Sequence, residues 1–271
     1  MPFLTLNDRR IHYRSEGEGP PVILLHNATG SMQDWRYLMP RLADAGYRAI
    51  AYDRPGFGRS APLAHWPLDY LRHDRDDLIT LMDALSIAEA ALLGNSDGAT
   101  ISLLTAASFP QRVILVVAES PHMWYEQESL AQGFQQFNET LAQDPRFIKT
   151  MRRAHGEQAD EVIRRWQKRW LDPTFFSWDE REALDHIHCP TFIIHGGRDI
   201  FFPVSHSREI ANSLSDSELL LWPDVGHTPH LERPHEYARH VIKFLNAIRR
   251  KHEYIFGPDR PRDYPLPGTA W

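Results

Sequence analysis

Short continuous apolar runs alternate with longer amphipathic stretches through the first 120 residues, and this alternation leaves few folds open. Pro21-Val22-Ile23-Leu24-Leu25 is apolar throughout, the mark of a strand buried on both faces. Gln33 to Ala45 follows with Trp35, Leu38 and Leu42 at helical spacing. Tyr47 to Tyr52 reads as the next strand, closed by the turn Asp53-Arg54-Pro55-Gly56. A helix is predicted over Tyr70 to Leu85, a strand at Ala90 to Leu93, a helix over Gly98 to Ala107 and a strand at Val113 to Val117. Ile11 to Arg14 reads as an edge strand. Strand and helix at this pace mean crossover units and a mostly parallel sheet flanked by helices, an α/β fold.

The rhythm breaks at His122. From there to Asp185 the pattern is helical, with Ile163, Trp166 and Trp170 between basic residues. Strands resume at Thr191 to His195 and Glu218 to Trp222, and a last helix is predicted over Pro234 to Arg249. The chain thus divides into a core of residues 1–121 and 186–251, a helical insertion at 122–185, and a Pro-rich extended tail at 252–271. No internal repeat is visible.

Composition narrows the class. At 271 residues the chain can bury a real core. Its net charge of −6 lacks the basic excess of a nucleic-acid binder. A single cysteine, Cys189, excludes an intrachain disulfide and a Cys-rich zinc site. No apolar run approaches the ~20 residues that cross a bilayer, and the first residues lack the pattern of a signal peptide. A cytoplasmic protein that binds neither nucleic acid nor membrane, as monomer or homodimer, is the expectation.

The chemistry centres on Gly94-Asn95-Ser96-Asp97-Gly98, a Gly-x-Ser-x-Gly run between a predicted strand and a predicted helix. That is the context of a nucleophile elbow. The flanking glycines let the backbone fold back, and the serine is forced out at a helix N-terminus, where N–H groups favour a developing oxyanion. Serine alone is a poor nucleophile, so it needs a base and an orienting acid. After such an elbow they follow in the order acid, then histidine, each beyond a strand. Asp199, in Gly196-Gly197-Arg198-Asp199, and His227, in Val225-Gly226-His227, hold those places. Glu119 at the end of the preceding strand competes for the acid role, whereas Asp224 more simply shapes the loop of His227. The oxyanion donors are expected at the Asp97 amide and at the loop His26-Asn27-Ala28-Thr29-Gly30, with Ala28 ahead of Asn27.

These segments, with Leu24-Leu25-His26 and Asp53-Arg54-Pro55-Gly56-Phe57-Gly58-Arg59-Ser60, resemble the α/β-hydrolase superfamily over about residues 1–250. The resemblance implies a Ser96-Asp199-His227 triad and a helical lid, which the insertion fits. His26-Asn27 stands where the usual dipeptide is His-Gly, a place where tolerance of positive φ would favour Asn. Ser96-Asp97-Gly98 is similar to valacyclovir hydrolase and its biphenyl-hydrolase-like relatives, in which the acid beside the nucleophile is associated with the α-amino group of amino-acid esters. A carboxylate there would attract an ammonium; the simpler reading is structural, because the position after the nucleophile needs only its N–H. Asn27, Trp124 and Trp166 are further candidates for substrate contact.

The expected function is hydrolysis of a small carboxylic ester, with no metal and no organic cofactor. Gly94-Asn95-Ser96 also suits a carbon–carbon hydrolase of meta-cleavage type, although Asp97 and Thr228 depart from that pattern. A ligand receptor on a hydrolase scaffold is the non-enzymatic alternative. The basic stretch Arg164 to Arg169 could touch a membrane, but reads more simply as a solvated face. His186, His188, His230 and His235 lack a recognised ligand spacing, and the aromatics Tyr254, Phe256, Tyr264 and Trp271 could anchor the tail.

Overall fold

The computed structural model describes residues 2–63 and 65–256. Eight strands form one sheet: β1 (Phe3–Leu6), β2 (Arg9–Glu16), β3 (Pro21–Leu25), β4 (Arg48–Tyr52), β5 (Ala90–Asn95), β6 (Val113–Glu119), β7 (Thr191–Gly196) and β8 (Ser217–Trp222). Their spatial order is β1-β2-β4-β3-β5-β6-β7-β8. The pairings β1–β2 and β2–β4 are antiparallel and the rest parallel. The helices are α1 (Met39–Asp44), α2 (Tyr70–Ala84), α3 (Asp97–Ser108), α4 (Gln127–Gln136), α5 (Pro145–His155), α6 (Ala159–Trp170), α7 (Val204–Ser213), α8 (Pro229–Glu232) and α9 (Pro234–Phe256). This is the α/β-hydrolase fold, a mostly parallel sheet with helices on both sides.

Alternation along the central strands divides the core in two. Val22, Leu24, Ala49, Ala51, Leu93, Val117 and Ile194 face α1 and α9. Ile23, Leu25, Ile50, Leu92, Val116 and Ile193 face the other way, in one cluster with α2, α3 and the apolar side chains of residues 122–185. Burial on both faces explains why these strands read as unbroken apolar runs.

The structure corrects three expectations and adds a helix. β2 is not an edge strand, because the four-residue β1 covers it. The stretch expected as one helix over 33–45 is a 3-10 helix (Met32–Tyr37) followed by α1. Pro40 has no N–H, so a continuous α ladder cannot cross this point. Val204–Ser213 shows little apolar pattern, yet forms α7. α9 runs on to Phe256, so the extended segment does not begin at 252; the remaining tail positions, with Tyr264 and Trp271, lie outside the described residues.

Between β6 and β7 lie α4, α5, α6 and short 3-10 and π turns. The two ends of this insertion meet at an antiparallel bridge between Trp124 and Asp179. Tyr125 N donates to Trp178 O at 2.9 Å and Glu180 N to Met123 O at 2.6 Å. Among the described residues no helix is long and apolar enough to cross a membrane.

Candidate active site

β5 ends at Asn95 and α3 begins at Asp97, so the whole reversal falls on Ser96. Its backbone sits at φ 54°, ψ −119°, a conformation that costs a non-glycine residue about 1–3 kcal/mol. Three bonds hold it there. Ser96 N donates to Glu119 O at 2.8 Å, and Ser96 O accepts from Ala99 N and Thr100 N at 2.8 and 3.0 Å. The flanking glycines are required by close approach. A Cβ on Gly94 would lie 2.1 Å from the Gly98 backbone, and one on Gly98 would lie 2.2 Å from Leu25 O.

Asp199 follows β7 and is buried, 1% exposed at its side chain. Oδ1 accepts from Phe201 N and Phe202 N at 2.9 and 3.2 Å. Oδ2 lies 2.7 Å from His227 Nδ1 and 3.4 Å from His195 Nε2. Burial alone would raise the Asp199 pKa; the charge and hydrogen bond of His227 outweigh it and hold the carboxyl below its ordinary value. For His227 burial works downward, but Asp199, with Glu119 and Asp97 behind it, brings the pKa above the usual histidine value. With Nδ1 donating to Asp199, Nε2 is left to accept a proton. Ser96 and His227 line the same cavities.

Glu119, the competing acid, does not reach His227. It is fully buried, and its Oε1 accepts from His230 N at 3.2 Å and His230 Nδ1 at 2.8 Å. It holds His230, in the first turn of α8 and three residues beyond His227. Asp224 pairs with Arg233 at the surface.

The loop after β3 is held mainly through Asn27. Its carbonyl accepts from His26 Nδ1 (2.8 Å), Arg54 Nη2 (2.9 Å) and Gly30 N (3.2 Å). Its Nδ2 donates to Asn95 Oδ1 at 2.9 Å, and Asn95 Nδ2 donates to His227 O at 3.1 Å. Asn27 is not at positive φ. Its side chain, rather than backbone tolerance, is what the site uses, and it ties this loop to the elbow and the histidine loop. Among the described residues, neither the Ala28 nor the Asp97 amide donates to a protein acceptor.

The Asp97 carboxylate is buried, with three internal partners. Tyr70 Oη donates to Oδ2 at 2.9 Å, Arg54 Nη2 lies 3.8 Å from the same oxygen, and His122 Nε2 lies 3.4 Å from Oδ1. Arg54 is itself fully buried and pairs with Asp74, whose pKa burial pushes up to about 6 against the pull of Arg54. Nothing in the sequence pointed to Arg54, Tyr70 or His122 as partners of Asp97.

Two cavities meet at Ser96. One of about 530 Å³ extends past Asn27, Ala28 and Phe137. One of about 20 Å³ lies against Asp97, Trp166 and Trp170. Trp166 lines both. Trp124 lines neither, a correction: it stacks on His206 at 3.8 Å beneath Arg181, at the base of the insertion. Phe134, Phe201 and Phe202 were missed, although Phe201 and Phe202 follow Asp199 closely enough that its turn could have flagged them.

Residues 20–234 match the family model of the alpha/beta hydrolase fold. The chain belongs to that family. It is 27% identical to the serine hydrolase BPHL of Homo sapiens over 251 residues, 89% of this chain and 85% of that protein. It is 29% identical to the 2-hydroxy-6-oxo-6-phenylhexa-2,4-dienoate hydrolase of Comamonas testosteroni over 266 residues, 89% of this chain and 92% of that one. Among solved structures, the meta-cleavage product hydrolase CumD of Pseudomonas fluorescens IP01 superposes with a TM-score of 0.70 at 25% identity, covering 91% of this chain and 98% of that chain. The protein is a hydrolase of the α/β superfamily.

Proposed function

We propose that the protein is a serine hydrolase that cleaves carboxylic esters through an acyl-enzyme on Ser96. The observation that carries this reading is the Asp199–His227 pair at 2.7 Å, whose His227 lines the same cavity as a strained Ser96. In the reaction His227 Nε2 takes the Ser96 proton as Oγ bonds to the ester carbonyl carbon. The Asp97 and Ala28 amides take the oxyanion. The carbon–oxygen bond to the alcohol then breaks, and the alkoxide receives the proton from His227. Water, deprotonated by His227, repeats the sequence and releases the acid. Asp199 holds the tautomer and stabilises the imidazolium. The insertion at 122–185 acts as the lid, with Trp166 against the substrate.

The Asp97 carboxylate is matched by Arg54, Tyr70 and His122, so recognition of a substrate ammonium is no part of this proposal. A fluorophosphonate should label wild-type protein stoichiometrically, and Ser96→Ala and His227→Ala should abolish the label. Folded wild-type protein that does not label would overturn the reading. Carbon–carbon hydrolysis of meta-cleavage type is the second reading, favoured by the likeness to the Comamonas testosteroni dienoate hydrolase. It requires turnover of a coloured dienoate, which an esterase leaves untouched.

A further inference from the structure

The two cavities at Ser96 differ in more than volume. The wide one has an exposed rim at Gln136, Thr140, Leu141 and Thr150. The narrow one is walled by Leu130, Phe134, Trp166, Trp170, Phe201 and Phe202, of which the most exposed, Trp166, is at 8%. Trp166 and Phe201 face both cavities and form the partition, their ring centroids 5.4 Å apart at 73°. Phe134 backs Trp166 at 4.7 Å. At about 20 Å³ against about 530 Å³, the narrow cavity has room for only a short chain.

We infer that the narrow cavity is the acyl subsite, and that the substrates are esters of a short acyl chain with bulky, apolar alcohols; this rests on the ester-hydrolase reading above. The order of events sets the assignment. When the Ser96 Oγ–acyl bond has formed, the alcohol leaves with the proton from His227, and the acyl group stays. The alcohol therefore occupies the compartment that reaches solvent, and the deacylating water follows by the path it vacates. The buried compartment keeps the short acyl chain while water releases the acid. Wall chemistry agrees with size: six apolar side chains surround the narrow cavity, and the one carboxylate beside it already has its partners in Arg54, Tyr70 and His122. Phe137, Phe147, Met151 and Ile200 give the wide cavity an apolar lining suited to a hydrocarbon or aromatic alcohol.

Benzyl acetate and methyl phenylacetate are isomers with the ester reversed, and their leaving alcohols are of similar acidity. Wild-type protein is expected to favour benzyl acetate in kcat/KM by about 30- to 100-fold, a penalty of the size met when extra bulk is forced against packed walls. Trp166→Ala, and separately Phe134→Ala, should narrow that ratio about tenfold or more, because each opens the narrow cavity. Equal or reversed preference in the wild type overturns the inference, as does an unchanged ratio in both folded variants. If a fluorophosphonate labels Ser96 but neither ester turns over, the subsite assignment fails and the serine-hydrolase reading stands. If nothing labels, the hydrolase reading itself fails.

Discussion

Ser96 can attack only when His227 is free to take its proton, so the pH dependence of the proposed reaction is set by one imidazole. In the folded protein Asp199 lifts the His227 pKa above 6.5 against the pull of burial. The value of kcat/KM for an ester should therefore rise with pH through a midpoint above 6.5. The sign for stability is opposite. A pKa raised on folding contributes stability that is full below the unfolded value and is lost as pH rises through the folded one. Asp199→Asn should lower the midpoint and reduce kcat by roughly 10³- to 10⁴-fold, the loss seen when a triad imidazole loses its orienting acid. A wild-type profile centred at or below 6.5 would contradict the assignment. Asp97 makes a different prediction. Because its carboxylate partners lie inside the protein, Asp97→Asn should lower kcat/KM for an aminoacyl ester and a neutral ester of the same size alike. It should also cost about 1–3 kcal/mol of stability, as Arg54 and Tyr70 lose a charged acceptor. A loss confined to the aminoacyl ester would restore the ammonium-binding role.

At the scale of elements, the strand–turn–helix unit around Ser96 depends on two absent side chains. Gly94→Ala and Gly98→Ala each place a Cβ about 2 Å from backbone atoms, 2.1 Å at Gly98 and 2.2 Å at Leu25 O respectively. Neither neighbour is a flexible tip that could turn aside. Each substitution should cost at least the roughly 1–3 kcal/mol of an overpacked site, read as a lowered denaturant midpoint, and should slow fluorophosphonate labelling in the fraction that folds. Unaltered stability and labelling would mean that the turn is looser than its contacts imply. This unit was legible in the sequence because its information is local: an apolar run, two glycines and a helical pattern within fifteen residues. The loops carrying Asp199 and His227 were legible for the same reason. Contacts between distant segments were not. Asp97 meets Arg54, Tyr70 and His122 from three separate segments of the chain. The covering of β2 by β1 depends on a pairing that no single segment encodes. Trp124, a candidate for substrate contact, stacks on His206 instead, a contact that its own segment does not encode.

Over the whole molecule, the insertion and the sheet share one core. Leu130, Phe134, Phe137, Trp166 and Trp170 belong to the same buried cluster as Ile23, Leu92 and Ile193. Polar bonds join the two as well. His155 Nδ1 accepts from Gly58 N at 2.9 Å while its Nε2 lies 3.0 Å from Thr29 O, and Arg165 donates to Gly56 O at 2.8 Å. Arg72 on α2 holds Glu180, where the insertion ends, through two bonds of 2.7 Å. A segment bound this way should not unfold on its own, because leaving the sheet would expose both its own apolar face and that of α3. Denaturant unfolding is therefore expected as one transition, with amides of α6 and of β5 losing hydrogen-exchange protection at the same midpoint. Glu180→Gln weakens the Arg72 contact, which is half open to water, and should cost about 1 kcal/mol or less. That corresponds to roughly 2–4 °C or less in Tm for a chain of this size. If the coupling is global, α6 and β5 shift together in this variant. If α6 loses protection before β5, the insertion is a separately unfolding unit, and the narrow acyl cavity, whose walls come from both sides, would open ahead of the fold.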